Sequence, residues 1–317
     1  MSSQASYQFF EQPAQIEDIH AQLLQGFSQA QKSVSPKFFY DERGSELFTS
    51  ITRTKDYYPT RTEIALLKTY GLEMAECIGE NATLIEYGSG SSEKIRILLE
   101  TLRPKKYLPM DISRDYLAQA ANTIANDYPW LEVLATCVDY SREFEIPVPL
   151  EGNVAGFFPG SSIGNFNPAT ALTFLKRVRR QVGHQGGLLI GVDLKKDVDI
   201  LNRAYNDSEG ITAAFNLNVL NHINELYEGD FDLSKFSHKA AYNEALGCIQ
   251  MFIVSQCDQL VQIAGESFSL AEGEEIHTEN SFKYSEKEFR QLCREAGFAS
   301  DRFWTDEQQW FGVFYVS

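Results

Sequence analysis

A glycine turn at the end of an apolar strand is the strongest local sign of chemistry in this chain. The segment TLIEY at 83–87 runs into Gly88-Ser89-Gly90, and a helical pattern follows. Glycine lets a ligand approach the backbone closely at the carboxyl edge of a parallel sheet. Glu93 replaces the third glycine of the dinucleotide motif GxGxxG and is an unfavourable neighbour for a pyrophosphate. The turn therefore predicts a nucleotide-like ligand without phosphates, although a GxG also occurs as a plain tight turn.

Two acidic residues close the next two predicted strands. Asp111 lies at the end of the strand at 107–112, and Asp139 closes the strand at 131–140, directly before Tyr140. A carboxylate at the first position can accept two ribose hydroxyls. One at the second can accept from an adenine amino group while the tyrosine packs the ring. Either aspartate alone could be a helix cap or a loop charge, but their placement at successive strand ends predicts a shared ligand. A nucleoside without phosphates indicates S-adenosylmethionine.

A lysine stands where the dipole of the next helix disfavours a cation. Lys94 lies in the first turn of the helix predicted over 91–102, near the positive end of the dipole. A partner carboxylate, such as the methionine end of the cofactor, would explain it, and a solvated lysine is the plain alternative. The five histidines and five cysteines show no HxxH, HExxH or CxxC spacing. We therefore predict no metal site and reduced thiols.

A βαβ rhythm through the middle of the chain is expected to position these residues. The helix after the fourth strand begins at Asn167-Pro168, which supply the N-cap and the first helical residue. Strands alternating with helices at this spacing predict a parallel sheet covered on both faces. The predicted strands are TLIEY at 83–87, YLPMDI at 107–112, LEVLATCVDY at 131–140, one opening VAGFFPGSSIGNF at 154–166, and GGLLIGVDL at 186–194.

The rhythm breaks near residue 198. A long helical stretch is followed by strand-like runs such as CIQMFIVS, whose partial alternation indicates an antiparallel sheet. The first sheet then resumes, because Ser285 and Glu288 form a capping box and WFGVFYVS supplies a last strand. The first ~60 residues look too irregular for a sheet cycle of their own. We therefore predict a discontinuous cofactor-binding domain, 61–197 and 284–317, and a substrate-binding domain, 8–60 and 198–283.

The composition limits the partners. With 28 Lys+Arg against 44 Asp+Glu, the net charge of −16 repels phosphate backbones and argues against nucleic-acid binding. A hydrophobic content of 43% is enough for a substantial core. No segment is apolar enough for a membrane span, and the polar opening MSSQASYQFFEQ lacks the regions of a signal peptide. We expect a cytoplasmic monomer without membrane association.

The chain also resembles a known family, the S-adenosylmethionine-dependent histidine Nα-methyltransferases of ergothioneine biosynthesis, which form the betaine hercynine. The resemblance covers nearly the whole chain and implies a Rossmann-like class I methyltransferase fold, an α/β sheet with an inserted α+β substrate-binding domain. Its blocks are KFFYDERGSELF (37–48), ITRTKDYYPTRTE (51–63), EYGSGSSEK (86–94), GSSIGNF (160–166), DLKKD (193–197), AYND (204–207), GITAAFNLNVL (210–220) and GEEIHTENSFKY (273–284). The family often has leucine at Tyr87, glutamate at Gln250 and tryptophan at Phe252, which bears on side-chain specificity.

The resemblance implies which residues bind the ligands. A tyrosine taken alone would be an amphipathic core residue, and Glu279 alone would pass for surface charge. The implied cofactor contacts are Gly88, Lys94, Asp111, Asp139 and Tyr140. The implied contacts to the carboxylate and amine of the amino acid are Tyr57, Gly160, Asn165 and Tyr205. The implied contacts to the imidazole are Glu279 and Ser281, with Tyr40 near the ring and Met251 beside the pocket.

The resemblance implies trimethylation of the α-amine of L-histidine. We expect Asn165 and Tyr205 to orient a neutral amine for in-line attack on the sulfonium methyl, while Tyr57 steadies the carboxylate. Glu279 and Ser281 occupy alternate positions, so on an extended strand they share a face and can meet both imidazole nitrogens.

Three other functions are weighed against this one. The first is Nα-methylation of another, aromatic amino acid in a pocket remodelled around Phe252. The second is a non-catalytic protein that binds S-adenosylmethionine or histidine. The third is a nicotinamide dehydrogenase, which Glu93 disfavours because the dinucleotide motif needs glycine there.

Overall fold

The computed structural model describes residues 7–12, 19–90, 93–150 and 152–317. The described strands are β1 (Gln8–Glu11), β2 (Thr83–Tyr87), β3 (Lys106–Asp111), β4 (Glu132–Cys137), β5 (Val154–Phe158), β6 (Gly187–Asp193), β7 (Phe236–Asn243), β8 (Cys248–Ser255), β9 (Gln259–Ile263), β10 (Glu266–Leu270), β11 (Glu275–Phe282), β12 (Asp301–Thr305) and β13 (Phe311–Val316). The described α-helices are α1 (Ile19–Ser28), α2 (Glu42–Ile51), α3 (Tyr58–Ile78), α4 (Glu93–Leu102), α5 (Arg114–Asp127), α6 (Pro168–Val182), α7 (Val198–Tyr205), α8 (Ile211–Tyr227) and α9 (Glu286–Glu295).

The chain divides into two compact units. The first contains β1 together with Pro59–Lys195 and Lys283–Ser317, and the second contains residues 19–58 and Lys196–Phe282. The break near residue 198 that the sequence indicates lies close to the division at Lys195.

The first unit is built on one eight-stranded sheet in the order β1-β4-β3-β2-β5-β6-β13-β12. The strands from β1 to β6 pair in parallel, and β13 runs antiparallel to both β6 and β12. Every residue of β2, β5 and β6 is buried, as expected when helices cover both faces of a parallel sheet. This Rossmann-like sheet confirms the predicted fold class.

The edges of this sheet differ from the prediction. The sequence pattern predicts that 8–60 belongs to the second domain, but Gln8–Glu11 pairs in parallel with β4 as an edge strand. Four residues are too few to show a strand period, so the sequence carries no signal for this pairing. The strand β12 was also not predicted. It forms an antiparallel hairpin with β13 through Asp301–Thr305.

Two helices of the first unit begin at the capping residues that the sequence predicts. The side chain of Asn167 accepts from Thr170 N at 2.9 Å with Pro168 as the first residue of α6, and Ser285 and Glu288 form the capping box of α9. Helix α4 buries four apolar side chains against the core, each worth about 1.5–3 kcal/mol relative to exposure. No helix in the described ranges is both long and apolar enough to cross a membrane.

The second unit combines helices with antiparallel sheet. Strands β11, β8 and β7 form a three-stranded sheet in that order, and β9 pairs with β10 as a hairpin. This confirms the antiparallel sheet predicted from CIQMFIVS. Helix α8 is unusual because it buries two amides, those of Asn216 and Asn218. A register shift between His277 and Glu279 marks a bulge in β11.

Candidate functional site

The first group of candidate residues lies at the carboxyl ends of neighbouring strands. Gly88 follows β2, Asp111 ends β3, and Asp139 follows β4 by two residues. Since β2 is flanked by β3 on one side and β5 on the other, the order of the strands reverses here, and ligands of open α/β sheets bind at such a point. The structure therefore brings these predicted positions to one edge of one sheet.

Gly88 and Tyr140 are tightly apposed at this edge. Gly88 has φ +73°, and a Cβ added to it would lie 2.9 Å from the hydroxyl oxygen of Tyr140. The tyrosine ring is surrounded by Tyr87, Phe158 and Phe174, with centroids 5.9–6.4 Å away. Burial raises the pKa of Tyr140 well above its usual value. Any residue larger than glycine at 88 would therefore displace a ring that is already packed.

Asp111 has acceptor capacity to spare. Its Oδ1 accepts from Ser113 N at 2.9 Å and its Oδ2 from Gly90 N at 3.3 Å. Burial raises the pKa of this carboxyl, and the backbone donors oppose the shift. Each carboxylate oxygen has two lone pairs, so the side chain can accept hydrogen bonds beyond those from the backbone.

The loop that carries Asp139 is held by a buried arginine. The carboxylate of Asp139 accepts from Ser141 N at 3.0 Å and from its hydroxyl at 2.5 Å, and lies 3.3 Å from Arg142 Nε. Arg177, which is 4% exposed on α6, donates to the carbonyls of Tyr140 and Ser141 at 2.6 and 3.2 Å. The arginine fixes the loop through its backbone, a contact that the sequence analysis did not anticipate.

Lys94 has a partner carboxylate from its own chain. Glu63 Oε2 lies 2.6 Å from Lys94 Nζ, a partner that the sequence pattern does not predict, since it indicates the cofactor carboxylate or solvent. Both oxygens of Glu63 also accept from the backbone N–H of Gly160, at 2.9 and 3.0 Å. Asn165 lies half-buried at the end of the short 3-10 helix Ser162–Asn165, just beyond this turn.

Glu86, in the same glycine motif, is a fully buried acid. Burial raises its pKa to about 8, although a hydrogen bond donated by Tyr107 lowers it. The carboxyl is therefore mainly protonated at neutral pH. The strand pattern places Glu86 in the motif but does not show that its side chain is sealed from water, so its burial could not be predicted from the sequence.

The second group of candidates lies in the second unit. The hydroxyl of Tyr205, at the end of α7, donates to Ser281 Oγ at 2.8 Å. The ring of Tyr57 meets that of Tyr205 edge-on with centroids 6.2 Å apart. Glu279 and Ser281 are 8% and 4% exposed, and Glu279 stands opposite Met251 in the pairing of β11 with β8. The structure thus brings five of the predicted substrate residues together.

The bulge in β11 decides which residues of that strand share a face. Thr278 and Glu279 are both buried although they are adjacent, and burial then alternates through Asn280 to Ser281. A bulge inserts one extra residue and so shifts every later side chain to the other face. The buried pair Glu279 and Ser281 depends on this one-residue shift.

A buried polar network from α8 holds the bulge and Tyr205. The hydroxyl of Thr278 donates to Asn216 Oδ1 at 2.7 Å, and Asn216 Nδ2 donates to the carbonyl of Phe252 and to His238 Nδ1, both at 2.9 Å. Because Nδ1 is the acceptor, the proton of His238 sits on Nε2, which donates to the carbonyl of Tyr205 at 2.9 Å. Burial lowers the pKa of His238, so the imidazole is neutral.

The second asparagine of the same helix reaches the segment around Tyr40. Asn218 Nδ2 donates to Asp41 Oδ1 at 2.9 Å, and Asp41 also caps α2 through Gly44 N. The ring of Tyr40 is 36% exposed and meets Phe48 edge-on at 6.3 Å. The predicted position near a ligand ring is therefore an accessible aromatic surface.

Two of the positions that depart from the family pattern point away from Met251. Neighbouring residues of a strand face opposite sides, and the ring of Phe252 packs edge-on against His277 with centroids 5.3 Å apart. Gln250, on that same side of β8, donates to Asn280 Oδ1 at 3.2 Å. The third, Tyr87, donates its hydroxyl to Gln181 in the first unit.

Comparison with known proteins shows the family of this chain. A family model described as histidine-specific, S-adenosylmethionine-dependent methyltransferase matches residues 19–317. The chain belongs to this family.

Curated relatives are similar over nearly the whole chain. A histidine N-alpha-methyltransferase of Mycolicibacterium smegmatis is 38% identical over 94% of this chain and 94% of its own length. One of Mycobacterium tuberculosis is 38% identical over 92% of each chain. Ergothioneine biosynthesis protein 1 of Neurospora crassa is 34% identical over 84% of this chain, which spans 31% of that longer protein.

Proposed function

We propose that this chain transfers three methyl groups from S-adenosylmethionine to the α-amine of L-histidine and so forms hercynine in ergothioneine biosynthesis. Membership of the histidine-specific methyltransferase family supports the donor and the amino acid, and the names of the relatives support the α-nitrogen and the pathway. The observation that carries the proposal is the buried pair Glu279 and Ser281, with Tyr205 bonded to Ser281 at 2.8 Å.

The edge of the first sheet suits an adenosyl ligand without phosphates. In this proposal Asp111 accepts the ribose hydroxyls with its spare lone pairs, Gly88 lets the ligand approach the backbone, and Lys94 meets the methionine carboxylate. Asp139 and Tyr140 hold the adenine. S-Adenosylmethionine supplies an electrophilic methyl group on a sulfonium, so no strong nucleophile is required of the protein.

The amino acid is held by its backbone groups through four further residues. Tyr57 steadies the carboxylate, while Asn165 and Tyr205 orient the amine. Because the N–H of Gly160 is already donated to Glu63, its carbonyl is the group that can accept from the amine. Orientation is the main contribution to rate, because aligning the two reactants about 3–3.5 Å apart lowers the activation free energy by several kcal/mol.

Proton removal requires only weak bases. The α-ammonium must lose a proton before each methylation, and the tyrosine hydroxyls and water are suitable acceptors. General base catalysis of this kind contributes a factor of about 10² or more. No separate strong base is assigned to the chain in this mechanism.

Selection of histidine rests on the imidazole nitrogens. Glu279 and Ser281 offer one carboxyl and one hydroxyl to the two ring nitrogens. An apolar ring cannot form these two hydrogen bonds, which disfavours a competitor by several kcal/mol. The alternative with an aromatic amino acid depended on a pocket around Phe252, and that ring packs against His277 on the opposite side of β8 from Met251.

Mass spectrometry of the products tests the proposal. Purified protein with S-adenosylmethionine and histidine should give mass gains of one, two and three methyl groups, and fragmentation should place all of them on the α-nitrogen. Reactions without the donor serve as the control. No S-adenosylhomocysteine with histidine, or methyl groups on the imidazole, would contradict the proposed function.

A further inference from the structure

One buried carboxylate in the first unit joins two groups assigned to different ligands. Glu63 lies in the second turn of α3 with its side chain 1% exposed. It pairs with Lys94 Nζ at 2.6 Å and accepts from the N–H of Gly160 with both oxygens. Lys94 is the candidate for the cofactor carboxylate, and Gly160 is a candidate for the amine. Glu63 therefore contacts one candidate residue for each ligand.

The surrounding backbone is shaped to receive this carboxylate. A Cβ added at Gly191 of β6 would lie 2.0 Å from Glu63 Oε1, so only glycine leaves room there. Gly160 has φ +78°, and a Cβ on it would lie 3.3 Å from Lys94 Nζ. On the far side of the turn, Ser161 Oγ accepts from Asp193 N at 2.9 Å. The turn is therefore fixed from both sides.

The charge of Glu63 also matters for the kind of ligand that binds. Lys94 lies in the first turn of α4 with its side chain 18% exposed, where the helix dipole already disfavours a cation. A second cation, the sulfonium of the donor, would be repelled by an unpaired ammonium nearby. The carboxylate of Glu63 offsets the lysine charge, so the pair presents no net charge.

We propose that Glu63 is a positioning residue for both ligands. It orients Lys94 and the Gly160 turn as one rigid group, and its negative charge reduces the repulsion between Lys94 and the sulfonium of the donor. The inference rests on the proposed function, because that function makes the donor a cation. With 1% of its side chain exposed, Glu63 acts through Lys94 and Gly160 instead of touching a ligand.

Titration calorimetry with two ligands that differ in charge separates the positioning effect of Glu63 from the effect of its charge. S-Adenosylmethionine carries the sulfonium, and S-adenosylhomocysteine carries a neutral thioether. Glu63→Gln keeps the shape but removes the charge. It should raise the Kd of the sulfonium ligand about tenfold and that of the thioether about threefold or less. Glu63→Asp keeps the charge but withdraws the oxygens, so it should raise both Kd values by the same factor.

A matched control comes from the same helix. Glu73 accepts from Trp304 Nε1 at 3.0 Å, away from Lys94, and Glu73→Gln should leave both Kd values unchanged. Glu63→Gln should also raise the KM for histidine through the Gly160 turn. Unchanged Kd values, or equal changes for the two ligands in Glu63→Gln, would overturn the inference.

A double variant keeps the test decisive if Glu63→Gln does not fold. Glu63→Gln combined with Lys94→Met removes both charges, so binding of both ligands should weaken while their ratio of Kd values stays near that of the parent protein. A shifted ratio would overturn the charge argument. If the parent protein binds neither ligand, the proposed function itself fails, which is a different outcome from equal weakening.

Discussion

Lys94, a candidate cofactor residue of the first unit, is held by a buried ion pair, whereas Tyr205, a candidate substrate residue of the second unit, is held by neutral hydrogen bonds. Glu63 and Lys94 meet at 2.6 Å in the first unit. In the second, Tyr205 bonds to Ser281, and His238 holds the Tyr205 carbonyl as a neutral imidazole. A charged ligand needs balanced charges around it, while the choice between amino acids needs hydrogen bonds that only the correct side chain completes.

The same contrast separates affinity for the donor from choice of the amino acid. Changes in the first unit should alter binding of any adenosyl ligand and leave the preferred amino acid unchanged. Changes in the second unit should alter that preference and leave donor binding unchanged.

Removal of the buried carboxyl in the second unit should have the largest effect on activity. Glu279→Ala is expected to lower kcat/KM for histidine by about 100-fold or more, because one imidazole nitrogen loses its hydrogen-bond partner. The Kd for S-adenosylmethionine should not change. Steady-state kinetics and calorimetry measure the two quantities.

A matched variant on the same strand controls for general damage. Glu275 lies in β11 and pairs with Lys239 at 2.6 Å, so Glu275→Ala removes a carboxyl without touching the buried pair. It should keep activity within about twofold of the parent protein, as surface ion pairs contribute little. Parental kinetics for Glu279→Ala would refute the assignment of the imidazole contacts.

Removal of the carboxylate at the end of β3 should affect only the donor. Asp111→Ala is expected to raise the Kd for S-adenosylmethionine about 10- to 100-fold, because two ribose hydroxyls lose a charged acceptor. The ranking of histidine over tryptophan and tyrosine should persist. Asp115→Ala, at a side chain that is 95% exposed in the first turn of α5, is the control. A changed amino-acid preference in Asp111→Ala would break the separation.

The two units should respond to pH with opposite signs. The pKa of Glu86 is raised to about 8 by burial, so its contribution to folding stability is full below pH 4.5 and is lost as pH rises from 4.5 towards 8. The pKa of His238 is lowered by burial. Its contribution is full above pH 6.5 and is lost as pH falls below that value.

Two variants isolate these slopes. Glu86→Gln removes a group that must take up a proton on folding, which costs about 3 kcal/mol of stability at pH 7, so the stability of the variant should fall less between pH 5 and 8 than that of the parent protein. His238→Gln should reduce the loss of folding stability between pH 6.5 and 5. Thermal unfolding across this range measures both. Equal slopes in the parent and each variant would contradict the assigned protonation states.

The smallest expected effect concerns the hydrogen bond between Tyr205 and Ser281. Tyr205→Phe and Ser281→Ala each remove one partner at 2.8 Å and should lower kcat/KM for histidine about tenfold. In the double variant, kcat/KM for histidine should fall by less than the product of the two single-variant factors, which corresponds to a coupling free energy of about 0.5–1.5 kcal/mol. Fully multiplicative effects would mean that the bond does not act in substrate binding.

Strand ends could be predicted from sequence, but contacts across the chain could not. Gly88, Asp111 and Asp139 each follow an apolar run, and parallel strands bring their carboxyl ends to one edge. Glu63 meets Gly160 across 97 positions, and no local pattern links them. The short strand Gln8–Glu11 was missed for a similar reason, since its only signal is its partner β4.

The second unit shows the same limit. The alternation of Glu279 and Ser281 was readable, yet the bulge that makes both face the buried side depends on Thr278 and Asn216. The neutral state of His238 likewise follows from burial and from the Asn216 amide. Such networks arise from tertiary packing. Residues that act through a neighbour, such as Asn216 and His238, therefore cannot be predicted from a local sequence pattern.

A competition assay tests the central claim most directly. Equal amounts of histidine, tryptophan and tyrosine would be incubated with S-adenosylmethionine and either the parent protein or Glu279→Ala, and all methylated products would be measured by mass spectrometry. The account predicts trimethylated histidine as the dominant product of the parent protein and the loss of that preference in the variant. Methylation of tryptophan or tyrosine at the rate of histidine by the parent protein would contradict it.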